Sequence, residues 1–198
     1  MTEPMDPAQR REIIREYAAV WGIKTFIETG TADGQTTWEL KDDFRTLHTI
    51  EVNKALYDLA AARFADVPHV RCWWGDSGKV LPLVLHEVKG RAILWLDGHW
   101  SGVGPNPNGP DTPIREELSV LFKPSEKLIP WRHVILIDDA RCFREGDAWA
   151  ENEYDWPPLS TVESLAGKAG FNYELAQDII RLTPVQRSEP RKFQYPVR

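Results

Sequence analysis

With only two cysteines in 198 residues, the chain has no disulfide framework, and Cys72 and Cys142 lack the spacing of a metal-binding pair. Both fall in or beside apolar strand segments, which predicts buried, reduced thiols and a cytoplasmic setting. No run of eighteen apolar residues occurs, so no membrane-spanning helix is expected. The first residues, MTEPMDPAQRREII, are polar and interrupted by proline and contain no apolar leader core, so a soluble, unprocessed chain is expected. Basic residues are in the minority, 24 Lys and Arg against 30 Asp and Glu, giving a net charge of −6. That balance argues against a nucleic-acid or anionic-membrane partner, because phosphate attraction favours a basic face. The basic run from Arg187 to Arg198 reads as a solvated tail.

What is present is an alternation of short apolar strands with amphipathic helices. Helical spacing of Ile13, Ile14, Tyr17 and Ala18 predicts a helix over Arg10 to Val20. Strands are expected at Thr25 to Glu28, Thr46 to Glu51, Val70 to Trp74, Ala92 to Leu96 and Val134 to Ile137. Helices are expected at Gln35 to Phe44, Lys54 to Phe64, Leu81 to Val88, Thr112 to Phe122 and Leu159 to Ala169. Thr112 as N-cap with Pro113 at the first helical position marks one helix start. Phe171 to Ala176 and Ile179 to Leu182 are separated only by Gln177 and Asp178, too short for a parallel crossover, so they must form a hairpin. The expectation is an α/β, doubly wound, mostly parallel seven-stranded sheet with a C-terminal antiparallel hairpin. The length suits one domain, with residues 1–24 as a helical cover, 25–184 as the core and 185–198 as a tail.

Acidic residues recur where these strands end. RAILWLDGHW and HVILIDDARCF deliver Asp97, Asp138 and Asp139 to one edge of the sheet, and three hard carboxylates there suit Mg²⁺. Adjacent side chains on a regular strand point apart, so a bend after Ile137 must bring Asp138 and Asp139 together. The segment TFIETGTADGQTT ends its strand at Glu28 and turns through Gly30 and Gly34 into a helix. Glu51 ends the next strand, 21 residues after Gly30, where a carboxylate can accept two ribose hydroxyls. A carboxylate at the mouth of the turn repels a pyrophosphate and attracts the ammonium and sulfonium of S-adenosylmethionine. The GxGxxG pattern is also absent, with Ala32 and Gln35 at the second and third glycine positions, so NAD is disfavoured. Asp76 and Ser77 follow the third strand, where Asp76 either accepts from an adenine amino group or caps a helix.

His99, two residues beyond Asp97, is placed to act as a general base, and Trp100 either stacks on an acceptor ring or anchors a loop. The stretch from Ser101 to Asp111, rich in Gly, Pro and Asn, reads as a lid or acceptor loop.

The segments ETGTADG, IEVN, GDS, LDGH and IDDA resemble the cofactor and metal motifs of class I S-adenosylmethionine-dependent methyltransferases, over Thr25 to Pro184. The paired aspartates after the fifth strand, with one after the fourth, resemble the magnesium-dependent O-methyltransferases of the macrocin and catechol types. The resemblance implies that Glu28, Gly30, Thr31 and Gly34 line the methionine end, that Glu51 holds the ribose, and that Asp76 with Ser77 meets the adenine. It implies Asp97, Asp138 and Asp139 as metal ligands, Asp97 bordering the cofactor too. The acceptor would be a small hydroxylated molecule such as a sugar, a catechol or a glycosylated natural product. Two departures stand out: Thr31 replaces a common further glycine, and catechol-type enzymes usually carry asparagine where Asp139 stands. An NAD-dependent oxidoreductase and a non-catalytic cofactor-binding module stay open as alternatives.

Overall fold

A computed structural model describes residues 5–99, 111–122, 133–143 and 156–185. The expectations attached to Trp100, to the lid over Ser101 to Asp111 except for Asp111 itself, and to the basic tail lie outside the described residues.

The chain begins with helix α1 (Pro7–Trp21), then β1 (Thr25–Thr29), α2 (Gln35–Leu40), β2 (Thr46–Glu51), α3 (Lys54–Arg63) and β3 (Val70–Trp74). It continues through α4 (Ser77–Glu87), β4 (Ile93–Leu96), α5 (Ile114–Phe122), β5 (Val134–Ile137) and a short 3₁₀ turn (Ala140–Cys142). Helix α6 (Leu159–Ala169) and the strands β6 (Phe171–Ala176) and β7 (Ile179–Pro184) complete it. The strands form one seven-stranded sheet in the order β3-β2-β1-β4-β5-β7-β6. β1 to β5 are mutually parallel where they pair, and β7 runs antiparallel to both β5 and β6. Gln177 and Asp178, both at positive φ, make the two-residue turn of the expected hairpin. Strand order reverses between β1 and β4, which opens a crevice at their carboxyl ends.

Side-chain alternation divides the core into two layers. Ile27, Leu94, Leu96, Ile135 and Ile137 face α4, α5 and α6, packing with Leu81, Leu118 and Val162. Phe26, Leu47, Ile93, Trp95, Val134 and Leu136 face the opposite layer, packing with Ile14, Leu40 and Ala60 of α1, α2 and α3. The same parity carried past the strand ends sends Asp97 and Asp138 towards the α1 side.

Two helix starts differ from expectation. α1 begins at Pro7 because Asp6 accepts a hydrogen bond from the Ala8 amide at 2.8 Å and proline suits the first helical position, so this proline starts the helix instead of interrupting it. α4 begins at Ser77, four residues before the expected Leu81, because Asp76 caps it, and it carries Pro82 within it. α2 is shorter than expected, ending at Leu40. Thr112 accepts from the Ile114 amide at 3.2 Å and so caps α5 as foreseen. Both cysteines are free, and burial pushes the Cys72 thiol up to about 11. Among the described residues no helix is long and apolar enough to cross a membrane.

Gly30 joins β1 to the crevice, with φ of 81° and no room for a side chain: a Cβ there would lie 2.3 Å from the Asp97 carbonyl oxygen. Gly22, closing α1 at φ 62°, has nothing within 4 Å of the same position. Gly30→Ala should therefore destabilise the fold by more than about 3 kcal/mol, combining backbone strain with a clash against main chain. Gly22→Ala should cost about 1 kcal/mol, and denaturant melts of the two variants check the difference.

Candidate active site

The glycine turn is built from backbone. The amides of Gly30 and Thr31 both donate to the Ile50 carbonyl, at 3.0 and 3.2 Å, which ties the turn to the end of β2. Glu51 then accepts from the Ala32 amide through Oε2 at 2.9 Å and from the Asn53 amide through Oε1 at 2.8 Å. Thr31 Oγ1 lies 2.5 Å from Thr49 Oγ1. Gly34, at φ 77°, starts α2, and its missing Cβ leaves room for the Phe64 ring. Gly30, Thr31, Gly34 and Glu51 thus form one contiguous structure at the crevice.

Glu28 sits elsewhere. Strand parity turns it into the α1–α3 layer beneath the turn, where its Oε2 accepts from Thr37 at 2.7 Å and from Thr49 at 2.8 Å. Full burial pushes its carboxyl up to about 8, against the opposing effect of those two hydroxyls. Burial therefore favours its neutral form in this arrangement, against the fixed negative charge expected at the turn's mouth. Asp76 caps α4 through the Gly78 amide at 3.0 Å and pairs with Lys79 at 2.8 Å, the helix-cap alternative. Ser77 donates to Glu117 of α5 at 2.5 Å.

Glu117 is a buried acid absent from the sequence expectations. Burial pushes it up to about 7, with the Ser77 hydroxyl opposing. Its signal was readable, since Ile114, Glu117, Leu118 and Leu121 share the apolar face of α5, and a carboxylate there needs a partner.

Asp97, Asp138 and Asp139 do converge. The Asp97 amide donates to the Thr29 carbonyl at 3.1 Å and the Asp138 amide to the Leu96 carbonyl at 3.0 Å, prolonging the parallel ladder beyond β4 and β5. Asp139 then adopts a left-handed conformation, φ 54° and ψ 43°, which is the bend required after Ile137. His99 bridges the group, Nδ1 lying 3.3 Å from Asp97 Oδ1 and Nε2 3.2 Å from Asp139 Oδ2. Its pKa is raised, first by the Asp97 contact, with burial opposing. Burial, reinforced by Asp97 and Asp139, holds Asp138 well above the usual carboxylate range.

Three further residues complete the edge. Arg10 reaches in from α1, with Nη1 2.6 Å from Asp138 Oδ2 and 3.9 Å from Asp97 Oδ2, and Nη2 3.7 Å from Asp139 Oδ1. Arg141 pairs with Asp139 at 2.6 Å and also with Asp178 of the β6–β7 turn. Asp178 in addition accepts from the Arg141 amide at 2.7 Å, clasping the 3₁₀ turn from below. Antiparallel pairing of Ile137 with Ile180 brings that hairpin turn to the carboxyl end of β5, so Asp178 was inferable once β7 was placed beside β5. Nothing in the sequence marked Arg10.

The donor set fits a divalent cation. Ligand atoms of Asp97, His99 and Asp139 all lie within 4.8 Å of one another, and Asp138 Oδ1 is buried with no hydrogen-bond partner among the described residues. The cleft beside them is lined by Leu96, Asp97, His99, Glu117, Asp138 and Trp156. Trp156 packs on the His99 ring at 6.1 Å and on Phe143 at 5.0 Å, giving the cleft an aromatic wall.

No protein-family model matches the chain, and no curated protein sequence matches it. Solved structures do. The chain is similar to the O-methyltransferase TomG of Streptomyces achromogenes, in complex with S-adenosylmethionine, at TM-score 0.58 and 17% identity over 88% of this chain and 78% of that one. It is similar to the O-methyltransferase of Bacillus cereus, in complex with S-adenosylhomocysteine, at TM-score 0.58 and 16% identity over 90% and 81%. It also matches the 23S rRNA methyltransferase ErmE, at TM-score 0.51 and 12% identity over 93% and 72%. The chain therefore has the Rossmann-like fold of the class I S-adenosylmethionine-dependent methyltransferases, as its motifs had implied.

Glu28 supplies a test of the site's electrostatics. Its folded pKa of about 8 lies above the ordinary 4.5, so its contribution to stability is complete below about pH 4.5 and is lost as pH rises towards 8. Relative to Glu28→Gln, the wild type should lose on the order of a few kcal/mol between pH 5 and 8. Parallel denaturant titrations at the two pH values check this, and equal slopes for the two proteins would mean Glu28 ionises normally.

Proposed function

We propose that this protein is an S-adenosylmethionine-dependent methyltransferase that methylates an oxygen of a small hydroxylated acceptor with the help of a divalent metal. The observation that carries this reading is the position of Asp97. Its backbone abuts Gly30 in the cofactor turn, while its side chain belongs to the carboxylate cluster with His99 and Asp139. A methyl donor seated on the turn and an acceptor oxygen held at the cluster would thus meet across one residue. The bound cofactor resident in TomG supports the donor assignment, and the net charge of −6 favours a small acceptor over RNA.

In this reading Gly30, Thr31 and Gly34 shape the donor's seat, and Glu51 keeps lone pairs for the ribose hydroxyls while fixing the turn. The electrostatic role first given to Glu28 passes to Asp97, a partly exposed carboxylate whose backbone lies beside Gly30. Asp76 and Ser77 act one step removed, orienting α4 below the adenine end. The metal ligands are drawn from Asp97, Asp138 and Asp139, with His99 as an alternative donor; the all-carboxylate set suits Mg²⁺, and inclusion of the imidazole admits Mn²⁺ or Zn²⁺. A bound divalent ion would lower the pKa of an acceptor hydroxyl and stabilise its oxygen anion. Transfer forms the acceptor O–CH₃ bond as the S–CH₃ bond breaks, leaving S-adenosylhomocysteine and one proton. His99 takes that proton in its neutral form, with the unprotonated ring nitrogen turned from its carboxylate contact towards the acceptor. Trp156 offers a face to a ring-containing acceptor.

Calorimetry should show S-adenosylmethionine binding, with NAD inert. Glu51→Ala should weaken that binding by about 1.5 to 3 kcal/mol, the value of hydrogen bonds to a charged group. Unchanged affinity would remove Glu51 from the donor site. With labelled methyl donor and a panel of sugars, catechols and glycosylated aromatics, Asp139→Ala and exhaustive EDTA treatment should each abolish transfer while sparing cofactor binding. Full transfer in EDTA would leave an acid–base enzyme without metal. His99→Ala should lower kcat by roughly 10²- to 10⁴-fold at unchanged cofactor affinity; near-normal kcat would return the proton to solvent.

A further inference from the structure

Arg10 occupies the space that a metal ion would need. Its guanidinium lies 2.6 Å from Asp138, 3.7 Å from Asp139 and 3.9 Å from Asp97, so it touches all three candidate ligands at once. A divalent cation sits about 2.0 to 2.6 Å from its carboxylate oxygens, inside the same small volume, and would repel a guanidinium there. Arg10 is also a poorly satisfied occupant: its Nε is buried without a hydrogen bond, as is Asp138 Oδ1. Among the described residues its ion pairs are only with these three aspartates. Arg141 differs, because Asp178 holds it from the far side of the cluster and would keep it in place.

We propose that Arg10 is a tethered counter-cation for the Asp97, Asp138 and Asp139 cluster, and that metal binding displaces it and frees the first turns of α1. This rests on the divalent-metal reading of the same carboxylates and adds a coupling to it. Without metal, buried acids need a cation, and the helix supplies one. With metal bound, the guanidinium loses its partners and turns outwards. α1 should yield only in its N-terminal turns, because Ile13 and Ile14 are buried and Arg15 pairs with Asp43 at 2.8 Å and donates to the Glu39 carbonyl at 3.0 Å. Coupling of this kind is reciprocal: whatever Arg10 costs metal affinity, metal costs Arg10's hold on the cluster.

The test uses the full chain as wild type, Arg10→Gln and Arg10→Lys, with calorimetric titration of Mn²⁺ and Mg²⁺ and hydrogen exchange over residues 7–21 with and without metal. Arg10→Gln should bind metal roughly 5- to 150-fold more tightly than wild type, with Arg10→Lys between them. Metal should speed exchange in the first turns of wild-type α1 and leave residues 13–21 protected. Arg10→Gln should also melt at lower temperature in EDTA and regain its loss when metal is added. If it is too unstable for titration, Arg10→Lys and the wild-type exchange data carry the test. Equal or weaker metal affinity in Arg10→Gln, or exchange in α1 indifferent to metal, overturns the displacement while leaving the metal site standing. If no variant binds metal yet S-adenosylmethionine still binds, the metal reading and the displacement fall together.

Discussion

The structure turns on one close approach, that of the β1 tip to the β4 tip at Gly30 and Asp97. A Cβ at residue 30 would overlap the Asp97 carbonyl, so only glycine lets the two strand ends lie side by side. From that contact follow the hydrogen bond of the Asp97 amide to Thr29, the extension of the ladder past β4, and the matching extension of β5 to Asp138. The turn that would seat a donor and the cluster that would hold an acceptor are neighbours because two main chains touch. Ligand sites at a strand-order reversal are common in open α/β sheets, and here the reversal is sealed by a residue without a side chain.

Crowding six acidic side chains around the crevice sets the second constraint. Ionised carboxylates removed from water are tolerable only when paired, hydrogen-bonded or protonated. All three solutions occur. Arg10, Arg141 and His99 neutralise the aspartates at the ends of β4 and β5. Glu51 is satisfied by two backbone amides at the turn. Glu28 and Glu117 take the third route, with pKa values pushed up to about 8 and about 7 by burial. The arrangement is a site whose charge is held in reserve by protein cations and protons, which an incoming metal or cationic cofactor must displace.

Much of the fold was legible. Short apolar runs such as ILWL and VILI, and helical spacing between them, located every strand within two residues. The two-residue link at Gln177 and Asp178 forced a hairpin, because no parallel crossover is that short. Convergence of Asp97, Asp138 and Asp139 also followed from strand ends in a parallel sheet, together with the bend that Asp139 supplies. The starts of α1 and α4 lie upstream of where they were expected, at the residues that follow the capping Asp6 and Asp76.

What the sequence by itself determined, then, was the order of elements and which residues reach the carboxyl edge, since both depend on local periodicity and on the length of links. What only the tertiary structure decided was the company those residues keep. Glu28 turned under the turn, to Thr37 and Thr49, because which helix covers that face of β1 is a matter of packing. Glu117 met Ser77 through the approach of α4 and α5, and Asp178 met Arg141 through the pairing of β7 with β5. Arg10 found the aspartates across the whole of the chain, from a helix whose own sequence names no target. Side-chain partners at long separation are set by the sum of many packing contacts, so no local pattern records them.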